Sequence, residues 1–102
     1  MGEVADIVTI YIEESDNVEE KAKEIASSLK TNIRSNLWKG HGYDTGQLYR
    51  DISSNSRTSG KIGVVVGWYT VDYGQYVDQG HHSWSGIKFM EKGLEKTLEM
   101  YK

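Results

Sequence analysis

The 102-residue sequence contains no cysteine and no proline, and it has no long apolar run. Without cysteine, disulfides and thiolate metal sites are excluded, and the redox compartment cannot be inferred. The apolar runs are far shorter than the roughly 20 residues that cross a bilayer, and the first residues lack the charged-then-apolar pattern of a secretory signal. We therefore expect a soluble intracellular protein that forms a single domain over residues 1–102.

Positive charge is also scarce in this chain. Twelve lysines and arginines stand against fifteen aspartates and glutamates, which gives a formal net charge of -3. Because nucleic-acid binding usually needs a basic face or stripe, stable wrapping of DNA or RNA is not expected. Tyrosine and tryptophan are better represented, with seven and three residues against one phenylalanine. Their apolar bodies and polar tips suit partly wet contacts between proteins.

Two parts of the sequence predict β-structure. The segment 4–12 is rich in β-branched residues, and Val8, Ile10 and Ile12 share one side of a period-two strand. A hairpin is predicted over 49–69, with a turn signal at residues 57–60 before a valine-rich strand. Because the strands contain no proline and little lysine, their edges are poorly protected and are expected to pair with neighbouring copies, with the N-terminal strand as donor.

Two helices are predicted from apolar residues that recur three and four positions apart. The first covers 16–39, begins at a capping-box spacing of Asp16 and Glu19, and ends at the glycines that follow. Its stripe consists of Val18, Ala22, Ile25, Ala26, Leu29, Ile33 and Leu37. The second covers 87–100, with a stripe of Ile87, Met90, Leu94 and Leu98 that is flanked by Phe89, Gly93 and Thr97.

The element order predicts the fold class. Strand, long helix, hairpin, short turn and helix together indicate an α+β fold, in which a small antiparallel sheet packs against the long N-terminal helix and the C-terminal helix. Before the hairpin, Asp44 and Gln47 have the spacing of a helix cap and predict a short helical turn. Tyr73, Tyr76 and Val77 are expected to close the open end of the sheet.

Asp44, Thr45 and Gly46 also match the active-site triplet of aspartic proteases. Two chains that each contribute one such aspartate would form a dimeric protease with a shared proton. In retroviral-type proteases the triplet follows an apolar strand of a nearly all-β fold, whereas a long helix is predicted upstream here. A structural role is therefore favoured, with Asp44 as a helix cap and Gly46 permitting a tight turn.

Other combinations of residues were weighed as functional sites. His41, His81 and His82 with Asp72 and Asp78 include metal-ligand residue types, but their spacing is poor and we predict no metal or cofactor site. No nucleophile elbow or phosphate-binding loop is found, so no catalytic residue is predicted. Trp84 lies in a polar loop, where it either anchors a partner or folds back over the core.

Four groups of residues follow one another between Tyr43 and Phe89. They are Asp44, Thr45, Gly46, Leu48 and Ile52; then Val66 and Gly67; then Tyr73, Tyr76, Val77, Asp78 and Gly80; then Phe89 and Leu94. In this order they resemble the head-tail joining and tail-completion proteins of long-tailed bacteriophages. The chain departs from that pattern by Gly42 and Tyr43 for Pro-Val, Gly74 for alanine, Asp78 for glutamate, and no proline before the last helix.

The resemblance implies a structural protein of a phage or prophage, without catalytic activity. It would act in the virion neck or tail, forming a ring around the DNA channel, and would occupy the host cytoplasm during assembly. The implied partners are its own copies, the connector or head-completion proteins and the tail-tube or tail-terminator proteins. The free subunit could be a monomer, and DNA would pass without being specifically bound.

Candidate partner contacts are Arg57, His81, His82 and Trp84. They belong to the hairpin tip at 57–60 and the loop at 80–86, which we expect to be mobile in the free subunit and ordered by neighbouring neck proteins. The alternative from another class is a non-viral adaptor domain that binds a peptide strand along an exposed sheet edge.

Overall fold

The computed structural model describes residues 7–39, 42–43, 46–71, 74–80 and 86–101. In these ranges, helices pack against a three-stranded antiparallel sheet, which confirms the predicted α+β class. The elements are β1 (Val8–Ile12), α1 (Val18–Arg34), β2 (Trp38–Lys39), β3 (Gly42–Tyr43), α2 (Gln47–Asp51), β4 (Ser53–Ser59), β5 (Ile62–Trp68), α3 (Gly74–Gln79) and α4 (Phe89–Met100). None of these helices is long and apolar enough to span a membrane.

The sheet has the order β1-β5-β4, so β5 is central and the other two strands form its edges. Both edge strands run antiparallel to β5, and one row across the sheet joins Ile10, Val65 and Ser56. The pairing of β4 with β5 continues without interruption along the whole of β4. Because β1 and β4 both oppose β5, they point in the same direction. A separate two-residue parallel pair joins β2 and β3.

The two faces of the sheet differ because side chains alternate along each strand. The inner face includes the buried Ile10, Ile12 and Val65, which confirms the predicted apolar side of the first strand. The opposite side, called the outer sheet face below, is formed by Thr9 and Tyr11 of β1, by Ile62, Val64, Val66 and Trp68 of β5, and by Asn55, Arg57 and Ser59 of β4.

Helix α1 packs on the inner face through its predicted apolar stripe, every member of which is buried. Two glycines of β5 allow the close approach. A Cβ atom at Gly67 would lie 3.0 Å from Cδ2 of Leu29 and 3.2 Å from Cδ1 of Ile33. One at Gly63 would lie 3.1 Å from Cγ2 of Val18. At these two positions the helix side chains rest on the strand backbone itself.

Helix α4 makes a second close contact with α1. A Cβ atom at Gly93 would lie 2.6 Å from Cα of Ile33 and 2.8 Å from its backbone nitrogen. Beside this contact, Nδ2 of Asn32 donates to the Thr97 hydroxyl at 2.8 Å, and that hydroxyl donates to the Gly93 carbonyl at 2.8 Å. The buried polar groups of the interface are therefore paired with each other, as burial requires.

A line of polar side chains on α1 and just beyond it follows the same interface. Ser28, Asn32 and Asn36 lie four residues apart. The Ser28 hydroxyl is 2.8 Å from the Tyr101 hydroxyl, and Nδ2 of Asn36 donates to the Phe89 carbonyl at 3.1 Å. The partners run backwards along α4 as the positions run forwards along α1, so the two helices are antiparallel.

The beginning of the chain departs from the prediction in two ways. The first strand starts at Val8, and residues 4–6 lie outside the described ranges. The predicted capping box is wrong, because α1 starts at Val18 with Asn17 as its N-cap and without a side-chain cap bond. Asp16 is instead 3.0 Å from the Lys61 ammonium in the hairpin turn, so a contact distant in sequence occupies its carboxylate.

The end of the first helix and the hairpin were also predicted incorrectly in part. Helix α1 ends before residue 39, since Trp38 and Lys39 form β2. Helix α2 occupies 47–51, where the chain was expected to become extended from residue 49, so β4 starts at Ser53. The hairpin turn is formed by Gly60 and Lys61 rather than by 57–60, because residues 57–59 continue the pairing with β5.

The C-terminal helix buries more than the predicted stripe, of which Ile87 and Met90 are buried and Leu94 packs against the core as expected. It begins at Phe89 rather than at residue 87, and Phe89, Gly93 and Thr97, expected to flank its stripe, are buried together with Met90. Leu98, expected within the stripe, is 48% exposed. The close contact at Gly93 decides this orientation, since only that side of α4 can reach the α1 backbone.

Replacing Gly93 with alanine should destabilise the protein. The added methyl group meets the Ile33 backbone, which cannot rotate away, and overpacking of this kind costs about 1–3 kcal/mol. Alanine gains roughly 1 kcal/mol over glycine from helix propensity, so the net loss will be smaller. Glu95→Ala on the exposed side of α4 is the matched control. Urea unfolding of both variants measures the difference, and a Gly93→Ala protein that gains as much stability as propensity alone predicts would contradict the close packing.

Candidate functional site

The residues that carry the phage resemblance mostly lie inside the protein where they are described. Four are almost fully buried: Leu48, Ile52, Asp78 and Phe89. Val77 is half-buried and packs against the core. Gly46 precedes α2 with φ 83°, and Gly80 follows α3 with φ 99°, a backbone conformation that favours glycine. The described part of this motif is therefore a set of packing and turn residues.

Tyr69 is the point where several of these residues meet. Its ring centroid lies 5.4 Å from that of Phe89. On another side it packs directly against Gly74 of α3, where a Cβ atom would overlap the tyrosine ring and lie 3.2 Å from Cδ1 of Leu48. Glycine is needed here because the Tyr69 ring occupies the space of a methyl group.

Arg34, at the end of α1, holds α2 in position. Its Nη2 donates to the Ile52 carbonyl at 3.0 Å and to the Arg50 carbonyl at 3.3 Å. The guanidinium carbon also lies 5.2 Å from the centre of the Tyr49 ring. Carbonyls at the C-terminus of a helix attract cations, and a guanidinium above an aromatic ring is favourable. One side chain thus ties the end of α1 to the end of α2.

The Asp51 carboxylate fixes the chain after β5. It accepts hydrogen bonds from the Thr70 amide, from the Thr70 hydroxyl at 2.7 Å and from the Val71 amide at 2.9 Å. Partial burial acts to raise the pKa of Asp51, but the three hydrogen bonds outweigh it and the pKa lies below its usual value. The charged form of Asp51 therefore stabilises the fold.

The contribution of Asp51 to stability should depend on pH. A carboxylate whose pKa is lower in the folded than in the unfolded protein stabilises fully above the unfolded pKa, and this stabilisation is lost as pH falls through the folded pKa. Asp51→Asn should therefore lower the free energy of unfolding by about 1 kcal/mol at neutral pH, and by less in acid. Urea unfolding of wild type, Asp51→Asn and the exposed control Glu24→Gln from neutral pH into acid tests this. A constant difference between wild type and Asp51→Asn would contradict it.

Asp78, in α3, supplies a hydrogen-bond acceptor at the start of α4. Helix α4 follows Lys88, which has φ 55° and makes no side-chain cap bond. Oδ1 of Asp78 accepts from the Met90 amide at 3.2 Å. This is the bond that an N-cap side chain would normally provide to the second residue of a helix. The aspartate of the predicted motif therefore joins two helices that are separated by a loop.

The ends of that loop are held together by backbone hydrogen bonds. The Ile87 amide donates to the Val77 carbonyl at 2.8 Å, and the Lys88 amide donates to the Asp78 carbonyl at 2.9 Å. The loop proposed to contact partners, residues 80–86, therefore starts and ends at neighbouring points of the fold. His81, His82 and Trp84, the candidate contacts within it, lie outside the described residues.

Other predicted site residues also lie outside the described ranges. They are His41, Asp44, Thr45, Asp72 and Tyr73. The protease hypothesis through Asp44 and the prediction of its capping role therefore stay predictions, although the N-cap of α2 itself is Gly46. Tyr76 belongs to α3. In the part of the chain that the structure describes, no group of three or more histidines, aspartates or glutamates is placed to hold a metal ion.

The outer sheet face is the most exposed apolar surface among the described strands. Tyr11 is 76% exposed and Ile62 is 56% exposed, and Val64 and Val66 between them are half-buried. Arg57, the one candidate contact that is described, is exposed in β4 rather than in the turn. Tyr11, Ile62, Val64 and Arg57 line a groove of about 520 Å³, which reaches from Tyr11 and Glu13 across Val64 to Arg57.

A second groove lies beside β1, on the side of the helices. It measures about 220 Å³, and it is lined by β1 residues such as Ile10 and Ile12 and by Thr97 and Tyr101 from the C-terminal part of the chain. Its lining is more polar than that of the first groove. The edge of β1 thus borders a depression, which is relevant to the predicted strand pairing.

The chain was compared with protein-family models, curated proteins and solved structures. No match was found in any of the three comparisons.

Several of the residues that organise this region were not singled out in the sequence. Asn32 and Thr97 are buried polar partners, and Arg34 and Asp51 position α2 and the chain after β5. One usable signal exists, since the line of Ser28, Asn32 and Asn36 borders the apolar stripe at helical spacing. Asp51 carries no comparable signal, because its partners follow the hairpin.

Proposed function

We propose that this chain is a structural protein of a phage or prophage virion neck or tail, where it joins head to tail or completes the tail as a ring around the DNA channel. The observation that carries the proposal is the difference between the buried and the exposed residues of the described part of the chain. The residues of the phage-like motif pack the interior where they are described, while β1 and β4 have no strand on their outer sides among the described residues and the outer sheet face exposes Tyr11 and Ile62. A protein built in this way acts through its surfaces.

The direction of the edge strands suits a ring. Because β1 and β4 point the same way, a copy rotated about a ring axis would bring its β1 beside β4 of the previous copy in a parallel arrangement. Such a contact is heterologous. Repeating it forms a closed ring when the rotation between neighbouring copies divides a full turn evenly. A two-fold dimer would instead pair β1 with β1, or β4 with β4, in the antiparallel sense.

The charge balance agrees with a channel through which DNA passes. The net charge is -3, and β1, β4 and β5 together contain one charged residue, Arg57. Binding of the phosphate backbone depends on clustered lysine and arginine. A channel whose walls lack such clusters does not retain DNA, so the DNA can slide through it.

A second candidate function is a non-viral adaptor domain that binds a peptide strand. The groove beside β1 favours it, because a peptide that adds to the edge of β1 would also contact Ile12 and Tyr101 across this depression. The adaptor and the ring would use the same edge, so the identity of the partner separates them.

The main test combines the purified chain with connector and tail proteins encoded beside it. Native mass spectrometry should detect a closed ring of more than two copies on the connector or on the tail end, and electron microscopy should place this ring around the channel. In parallel, the gene should restore infectivity to a phage mutant that lacks its own tail-completion protein. Absence of both effects would contradict the proposal, and capture of an extended peptide would support the adaptor.

Asp44→Asn separates a structural role from the protease hypothesis. Because an asparagine also caps helices, the variant should complement the phage mutant as well as the wild type does, with a stability loss of at most about 1 kcal/mol. A protease would lose all activity with this substitution, and its wild-type form would show pepstatin-sensitive cleavage. A folded Asp44→Asn protein that fails to complement would count against the structural role.

A further inference from the structure

The outer sheet face has an uneven distribution of charge. Arg57 is the only charged residue in the three strands of the sheet, and it lies on the edge strand β4. Glu13 follows the opposite edge strand, β1, and both residues line the larger groove. Within the described residues neither of them has an ion-pair partner. The outer sheet face thus has a cation on its β4 edge and an anion at the end of its β1 edge, and the apolar side chains of β5 lie between them.

The rows of the sheet fix the distance between these two groups. Tyr11, Val64 and Arg57 stand in one row, so that β5 separates the residues of the two edge strands. Neighbouring strands are about 4.8 Å apart, which places the backbones of β1 and β4 roughly 10 Å from each other. A surface with separated opposite charges is complementary to a second copy of itself.

We propose that two copies of the chain pack outer sheet face to outer sheet face, about a two-fold axis parallel to β5. This operation places β5 over β5 of the second copy and β1 over its β4, with equal rows superimposed. Val64 then meets Val64 of the other copy. Arg57 meets Tyr11 and lies two rows, about 6.6 Å along the strand, from Glu13 across the interface. Packed sheets lie about 10 Å apart, a gap that an arginine and a tyrosine can fill.

The other two-fold arrangement is less favourable. An axis in the plane of the sheet but perpendicular to the strands superimposes β4 on β4 in the opposite direction. The two Arg57 side chains then come close together, and each is kept from Glu13 of the other copy by the width of the sheet. Juxtaposed like charges oppose association. The charges on this face therefore select the axis parallel to β5.

The size of the face predicts a weak dimer. The three strands have five, seven and seven residues, and they cover roughly 300 Å² per copy at about 4.8 Å per strand and about 3.3 Å per residue. This area is well below the roughly 800 Å² per partner of a standard interface. We expect a dissociation constant on the order of 100 µM. The inference concerns the free subunit and does not depend on the proposed virion role, since face-to-face packing leaves the strand edges available.

Sedimentation equilibrium of the purified chain over a wide concentration range tests the dimer. Arg57→Glu and Glu13→Arg should each weaken dimerisation about tenfold or more, because like charges then face each other. The double variant with both substitutions should recover most of the wild-type affinity. Val64→Lys at the centre of the face should abolish dimerisation, while Glu95→Gln on α4 is a control that should leave it unchanged. Circular dichroism verifies that each variant is folded.

Each result supports or overturns the proposal. Recovery in the double variant establishes the axis parallel to β5. A wild-type chain that stays monomeric near 1 mM would overturn the dimer and assign the face to a different partner. If Val64→Lys does not change the affinity of dimerisation, the dimer uses another surface. If the double variant dimerises no more tightly than the single variants, the proposed axis is overturned. None of these results bears on phage complementation, which tests the virion role separately.

Discussion

The fold depends on the position of Ile33, where α1 touches both the sheet and α4. On one side its side chain lies against Gly67 of the central strand, and on the other its backbone lies against Gly93. A side chain at Gly93 would displace the backbone of α1, and one at Gly67 would require the ends of the Leu29 and Ile33 side chains to shift. Glycine at these two positions thus allows α1 to pack closely against both the sheet and α4. Helix α1 is consequently the central element of the protein, in contact with nearly every other long segment.

This central packing is extended by short polar contacts at the end of the sheet. Arg34 reaches from α1 to the carbonyls of α2, Asp51 accepts hydrogen bonds from the chain after β5, and Asp78 accepts one from the start of α4. These contacts connect segments that have little apolar surface of their own. Four residues of the motif singled out in the sequence, Leu48, Ile52, Asp78 and Phe89, are buried in this part of the protein.

The hydrophobic periodicity of the sequence correctly predicted the buried sides of α1 and β1. The stripe of α1 and the inner side of β1 are buried as expected, because large apolar side chains at regular intervals have one stable arrangement against a core. Part of the buried side of α4 was missed, since Gly93 and Thr97 contribute little to an apolar pattern. Their burial follows from the Ile33 backbone and from Asn32, which become neighbours only after folding. The capping box was also predicted wrongly, since α1 starts at Val18 with Asn17 as its N-cap and the exposed Asp16 lies beside Lys61 of the hairpin turn.

We propose that the buried motif supports the fold and that the edges of the sheet carry the assembly. Amide hydrogen exchange in the free chain and in the assembled neck or tail complex tests it most directly. We expect amides of β1 and β4 to gain protection on assembly, while those at the buried centre of α1 exchange equally slowly in both states. Unchanged exchange along both edge strands in a complex that contains the protein would contradict the account.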